Sequence, residues 1–126
     1  MTRTHHPTPT FQVRLAFQHD VIIGPGKADL LEMVDQTGSI SAASRSLKMS
    51  YKKAWQLIET MNKHFHAPLV ATSSGGNERG GAHLTALGKQ VLHHYRSLEQ
   101  QLLLDQTDSA KALLALLAPP SAPEPP

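Results

Sequence analysis

The spacing of apolar positions changes several times along the chain, and each change predicts an element. Phe11, Val13, Leu15 and Phe17 alternate with Gln12, Arg14, Ala16 and Gln18, the period-two pattern of a half-buried strand. Val21-Ile22-Ile23 predicts a further short strand or a buried link, closed by the turn chemistry of Gly24-Pro25-Gly26. From Lys27 to Thr37, Leu30, Leu31 and Val34 with Ala28 one turn back predict an amphipathic helix, and Gly38 suits a left-handed cap at its end. Ile40, Ala43, Ser44 and Leu47 then share one face of a short helix. Lys48 and Met49 break that pattern, and Ser50 stands where a hydroxyl accepts the free N–H groups of a new helix. In that helix Ala54, Ile58 and Met61 form the inward stripe, leaving Tyr51, Lys52, Trp55 and Gln56 opposite.

Pro68 stops this helix from continuing past Asn62 to His66. Leu69 to Thr72 and Ala82 to Thr85 are short and β-prone, and the intervening Ser73 to Gly81 is rich in glycine, which predicts a β-hairpin with a flexible tip. Thr85 caps a long helix in which Leu87, Val91, Tyr95, Leu98 and Leu102 recur at spacings of three and four, with Leu92 and Leu103 widening the stripe. Asp105 to Ser109 interrupts it. Ala110 to Ala118 is again helix-prone, and Pro119 to Pro126 is a proline-rich tail expected to stay unfolded. The predicted fold class is mainly α with a small β component: a winged helix-turn-helix with a long C-terminal dimerisation helix. Its divisions are a flexible arm over 1–10, a winged helix-turn-helix domain with its dimerisation helix over 11–105, and the leucine- and alanine-rich segment with its tail over 106–126.

Charge gives this arrangement a function. The formal net charge is only +2, yet between Gly38 and His66 the bases Arg45, Lys48, Lys52, Lys53 and Lys63 face the single acid Glu59. A basic helix start can bind phosphates and release counterions. An ordinary solvated face is the plainer reading of any one such helix; the glycine, the alanine pair, the turn hydrophobe and the serine cap together favour DNA recognition. The candidate DNA contacts are Tyr51, Lys52, Lys53 and Gln56 to bases or phosphates, Ser41 and Ser50 to phosphates, and Arg79 from the wing. Trp55 is expected either in the groove or packed against the wing.

The last helix outreaches a compact winged helix at ~1.5 Å per residue, so Leu87, Val91, Tyr95, Leu98 and Leu102 are candidates for a homodimer interface. A two-fold axis would set two recognition helices one DNA turn apart, ~34 Å, and match a palindromic duplex. The plainer reading is a stripe that covers only its own domain.

Other chemistry is weaker. The chain has no cysteine, which removes disulfides, thiolate nucleophiles and cysteine zinc sites and suits the cytoplasm. No apolar run approaches the ~20 residues of a membrane span, and Met1 to Thr10 lacks a signal-peptide core. Gly24-Pro25-Gly26 has none of the phosphate-loop spacings. Asp29, Glu32 and Asp35 are read as a solvated acidic face that keeps DNA away, not as an acid-base pair. His64 and His66, and the adjacent His93 and His94, lack the helical spacing of a zinc site, so no metal is expected. No Gly-x-Ser-x-Gly or convergent acid, base and nucleophile suggests an enzyme.

Gly38-Ser39-Ile40-Ser41-Ala42-Ala43-Ser44, Met49-Ser50-Tyr51-Lys52-Lys53-Ala54-Trp55 and Leu84-Thr85-x-x-Gly88 together resemble the DNA-binding domain of the ModE family of molybdate-responsive transcription regulators. The first half also resembles the LysR-type helix-turn-helix; the preceding strand, the opening of the recognition helix and the glycine-rich wing favour ModE. The resemblance covers about Phe11 to Gln101. It implies DNA binding and dimerisation through the long helix. In that family an oxyanion regulates binding from a separate C-terminal β-domain, which the chain is expected to lack, so the expectation is no cofactor and a molybdate or tungstate response only through another polypeptide. The competing expectation is a protein–protein interaction module of winged-helix fold, recruiting a separate sensor subunit or no longer binding DNA.

Overall fold

A computed structural model describes residues 6–73, 81–104 and 107–119, with the side chains of Leu103 and Leu104 excepted. The element order is β1 (Leu15–Phe17), β2 (Asp20–Ile23), α1 (Pro25–Thr37), α2 (Ile40–Ser46), α3 (Tyr51–His64), β3 (Val70–Thr72), β4 (Ala82–Leu84), α4 (Ala86–Leu104) and α5 (Asp108–Ala115). This is the winged helix-turn-helix that the apolar spacing predicts. Arg79, most of the expected wing loop, Asp105, the start of the arm and the last seven residues lie outside the described residues.

α1 starts two residues earlier than the apolar stripe suggests, because Pro25 occupies a first-turn position where its fixed φ suits a helix and its missing N–H costs nothing. It stops at Gly38, which turns left-handed at φ 71° and donates its N–H to the Val34 carbonyl. Leu30, Leu31 and Val34 from α1 meet Ile40 and Ala43 from α2, Ile58 and Met61 from α3, and Leu69 from the chain leading into β3, in one core. Small side chains at Ala43, Ser44 and Ala54 are buried where α2 and α3 pack.

The N-terminal strand is shorter than its alternation implies. Only Leu15–Phe17 pairs with β2, and the register shifts between Leu15 and Ala16. Phe11 and Val13 are partly covered, but Leu15 and Phe17, on β1 of this two-stranded hairpin, are 54% and 63% exposed.

The acidic residues of α1 are also placed differently from expectation. Asp35 is exposed, whereas Asp29 is buried and Glu32 half-buried, both held by Arg96 of α4. Period alone treats them as surface because the partner lies 64 and 67 residues away. Arg96 also holds Glu99, one turn along α4.

Thr85 joins the hairpin to α4. Its hydroxyl donates to the Pro68 carbonyl at 2.7 Å and accepts from the Gly88 amide at 3.0 Å, while its own amide donates to Leu69. Gly88 is required by close approach: a Cβ there would lie 2.1 Å from the Leu69 carbonyl oxygen. Farther along, Tyr95 is buried and its hydroxyl donates to the Val13 carbonyl at 2.7 Å, fastening α4 to the segment before β1.

Burial, then the nearby Glu99 charge, pushes the Tyr95 phenol up to about 12. The folded value exceeds the ordinary ~10, so Tyr95 contributes stability that is fully present below pH ~10 and lost as pH rises through about 12. Chemical denaturation should therefore show stability falling across that alkaline window. Tyr95→Phe should lose about 1 kcal/mol at neutral pH and flatten the alkaline decline; an unchanged alkaline slope would show that this phenol does not govern it.

Candidate nucleic-acid interface

α2 and α3 are built by two serine caps and one strained turn. Ser39 Oγ accepts from the Ala42 amide at 3.1 Å and starts α2; Ser50 Oγ accepts from the Lys53 amide at 3.0 Å and starts α3. Between them Lys48 adopts φ 57°, a left-handed conformation uncommon outside glycine. Its amide bonds to Arg45 and that of Met49 to Ser44, so the backbone groups of the reversal are satisfied.

The faces of α3 are cleanly divided. Ala54, Ile58 and Met61 are buried, while Tyr51, Lys52, Lys53 and Gln56 are exposed on its first two turns. Together with Ser50 they form one contiguous outward surface. Trp55 is half-buried and packs against the core, with its indole edge-on to Tyr51 at 6.2 Å between ring centroids. It therefore supports the surface more than it extends it. Ser41 is half-buried on α2, where its hydroxyl accepts from Arg45 at 2.8 Å.

Two further cations belong to this region: Arg45, one of the bases of the helix-turn-helix but not among its candidate contact residues, and Lys27, outside that basic run. Arg45 is exposed and steered by Ser41, an i, i+4 pair visible in the sequence once both are placed on one helix. Lys27, on the first turn of α1, donates to the Val21 carbonyl. Burial lowers its pKa, with Asp20 opposing the shift and Lys53 reinforcing it, which places Lys27 within the electrostatic reach of α3. No local pattern indicates that proximity.

The hairpin behind α3 is tied at both ends. Asn62 of α3 accepts the Leu69 amide at 2.8 Å and the Val70 amide at 3.3 Å through one oxygen. Strands β3 and β4 pair antiparallel, Val70 opposite Leu84 and Thr72 opposite Ala82. The Ala82 amide then donates to Gly38, the residue before the α2 cap, so the base of the wing and the start of α2 share a hydrogen bond.

The proposed dimer residues divide by exposure. Tyr95 lies in the subunit's own core, and Leu87 and Val91 pack partly against it; Leu98 and Leu102 are 50% and 39% exposed. His93 and His94 stack edge to face, and among the described residues no three histidine or acidic side chains are grouped to hold a metal.

Residues 27–89 match the bacterial regulatory helix-turn-helix proteins of the lysR family. The chain belongs to this family. It is 37% identical over 91 residues to a molybdenum transport protein ModE of Azotobacter vinelandii, covering 71% of this chain and 34% of that protein. It is 34% identical over 110 residues to a transcriptional regulator ModE of Haemophilus influenzae, covering 82% and 43%. A molybdenum-pterin-binding protein MopB of Rhodobacter capsulatus is 40% identical over 77 residues, covering 61% and 28%. The chain thus spans roughly a third of the length of the curated relatives it matches, and the ModE resemblance seen in the three sequence runs is met. The family match runs from Lys27 in the first turn of α1 to the first turn of α4, the part that carries the exposed α3 surface.

Asn62→Ala should leave the buried Leu69 and Val70 amides without their acceptor and cost about 1–3 kcal/mol. Hydrogen exchange should then accelerate at these two amides before it does in α1; equal protection in both proteins would mean that Asn62 does not hold the wing.

Proposed function

We propose that this protein is a dimeric, sequence-specific regulator that binds double-stranded DNA by seating the start of α3 in the major groove. The observation that carries this is the outward surface of Tyr51, Lys52, Lys53 and Gln56 on a helix whose opposite side is buried. Long polar and cationic side chains at a helix start suit base edges and phosphates together. Arg45, beside the turn, adds a further phosphate contact, and Ser41 sets its direction.

Exposed Leu98 and Leu102 on α4 support a homodimer, which would present two α3 helices to a palindromic site. Relatives named for molybdenum transport, molybdenum-pterin binding and transcriptional regulation support a setting of regulation linked to molybdenum. A cytoplasmic location and a molybdate or tungstate response through another polypeptide belong to the same proposal. No catalytic role is proposed. A partner-recruiting module would account for the exposed leucines of α5 but leaves the basic α3 surface unexplained.

Duplexes selected from a random pool provide the test. Changing Lys52 and Lys53 together to alanine should weaken binding to the selected duplex and lower the slope of log affinity against log salt by about 2, with the helical content intact. Unchanged affinity and slope would overturn the proposed reading surface.

A further inference from the structure

Glu59 is the single acid between Gly38 and His66, and it stands on α3 itself. At about 100° per residue, Lys52, Gln56, Glu59 and Lys63 fall within about 60° of arc, on the side of α3 opposite buried Ala54, Ile58 and Met61. All four are exposed. They form one outward ridge, and its steps of three and four residues are those with which a recognition helix sets side chains against base edges. A carboxylate on this ridge opposes affinity, because it repels the phosphates that the neighbouring lysines attract. A structural duty does not account for it. Lys63, four residues on, is the partner a helical glutamate ordinarily takes, yet among the described residues no salt bridge joins the two. Thr60, next along the chain, turns its hydroxyl back to the Gln56 carbonyl at 2.8 Å instead of to Glu59.

We infer that Glu59 is a specificity-determining residue that accepts a hydrogen bond from a cytosine amino group in the major groove. This rests on the DNA-binding reading above. An ionised carboxylate only accepts. In the major groove cytosine offers the N4 amino group, whereas guanine presents the acceptors O6 and N7 and thymine the acceptor O4 beside its methyl group. Adenine has an amino group at N6, but its N7 acceptor lies next to it and repels the same carboxylate. Cytosine is therefore the base that a glutamate on this ridge selects. Along α3, Glu59 lies about 10 Å beyond Lys52, or about three base-pair steps of ~3.4 Å, so the two side chains address different pairs. The negative charge acts in both directions: it gains a hydrogen bond at the chosen pair and weakens binding to duplexes that offer none.

Duplexes selected from a random pool by the full chain, by Glu59→Ala and by Glu59→Gln provide the test, with circular dichroism confirming that each protein is folded. The full chain should select one cytosine per half-site, and replacing that base should weaken binding at least about fivefold. Glu59→Ala should lose this preference while keeping the others, and should bind unrelated duplex about threefold or more tightly than the full chain does. Glu59→Gln, whose amide pairs with adenine N6 and N7, should exchange the cytosine for adenine. Variants that select the same bases as the full chain would overturn the role of Glu59 and leave the α3 surface standing. A gain in affinity equal for all duplexes, with no change in base preference, would do the same, showing that the acid only repels phosphates. A full chain that enriches no sequence at all would overturn both readings.

Discussion

A single guanidinium fixes how the long helix sits on the rest of the molecule. Arg96 of α4 donates to Asp29 at 2.8 Å and to Glu32 at 2.8 and 3.0 Å on α1, and to Glu99 at 2.9 Å on its own helix. Burial opposes its charge, but hydrogen bonds to Asp29, Glu99 and Glu32 outweigh that and push its pKa up. Enclosed ion pairs add less net stability than their number suggests, because each charge loses its hydration. Their effect here is geometric. The planar fork and its acceptors define one rotation and one height for α4. In that setting Tyr95 turns inward to Val13, while Leu98 and Leu102 turn outward.

The reading surface depends on a second set of ties of the same character. α3 is capped by Ser50, backed by buried Ala54, Ile58 and Met61, and joined to the hairpin by Asn62. The hairpin reaches back to Gly38, ahead of α2, and forward through Thr85 and the cleft at Gly88 to α4. Lys52, Lys53 and Gln56 thus project from a helix whose position is determined at both ends. Such support lets flexible side chains address a groove without the backbone having to be ordered on binding.

Most of this fold is legible in the sequence because its determinants are local. Helical spacing identifies α1 to α4, serine caps and Gly38 mark their ends, and the inward residues of α3 are buried as the period requires. What is not legible depends on distant partners. Asp29 and Glu32 look like surface acids until Arg96 is brought to them, and Asn62 looks like a fraying helix end until Leu69 folds beneath it. The alternation of Phe11 to Phe17 predicts a longer, half-buried strand, but whether Leu15 and Phe17 are covered depends on a layer that no local pattern specifies. Within the candidate interface, the exposed side chains were readable from amphipathicity; the proximity of Lys27 to Lys53 was not.

The opening turns of α3, with the end of α2, are the proposed surface that meets DNA. Nuclear magnetic resonance titration of the protein with a duplex selected from a random pool tests it most directly. Amide shifts should concentrate at Arg45 to Gln56 and leave the Asp29–Glu32–Arg96 cluster unchanged. Shifts centred on α5 or on the acidic side of α1, with Tyr51 to Gln56 unmoved, would contradict it.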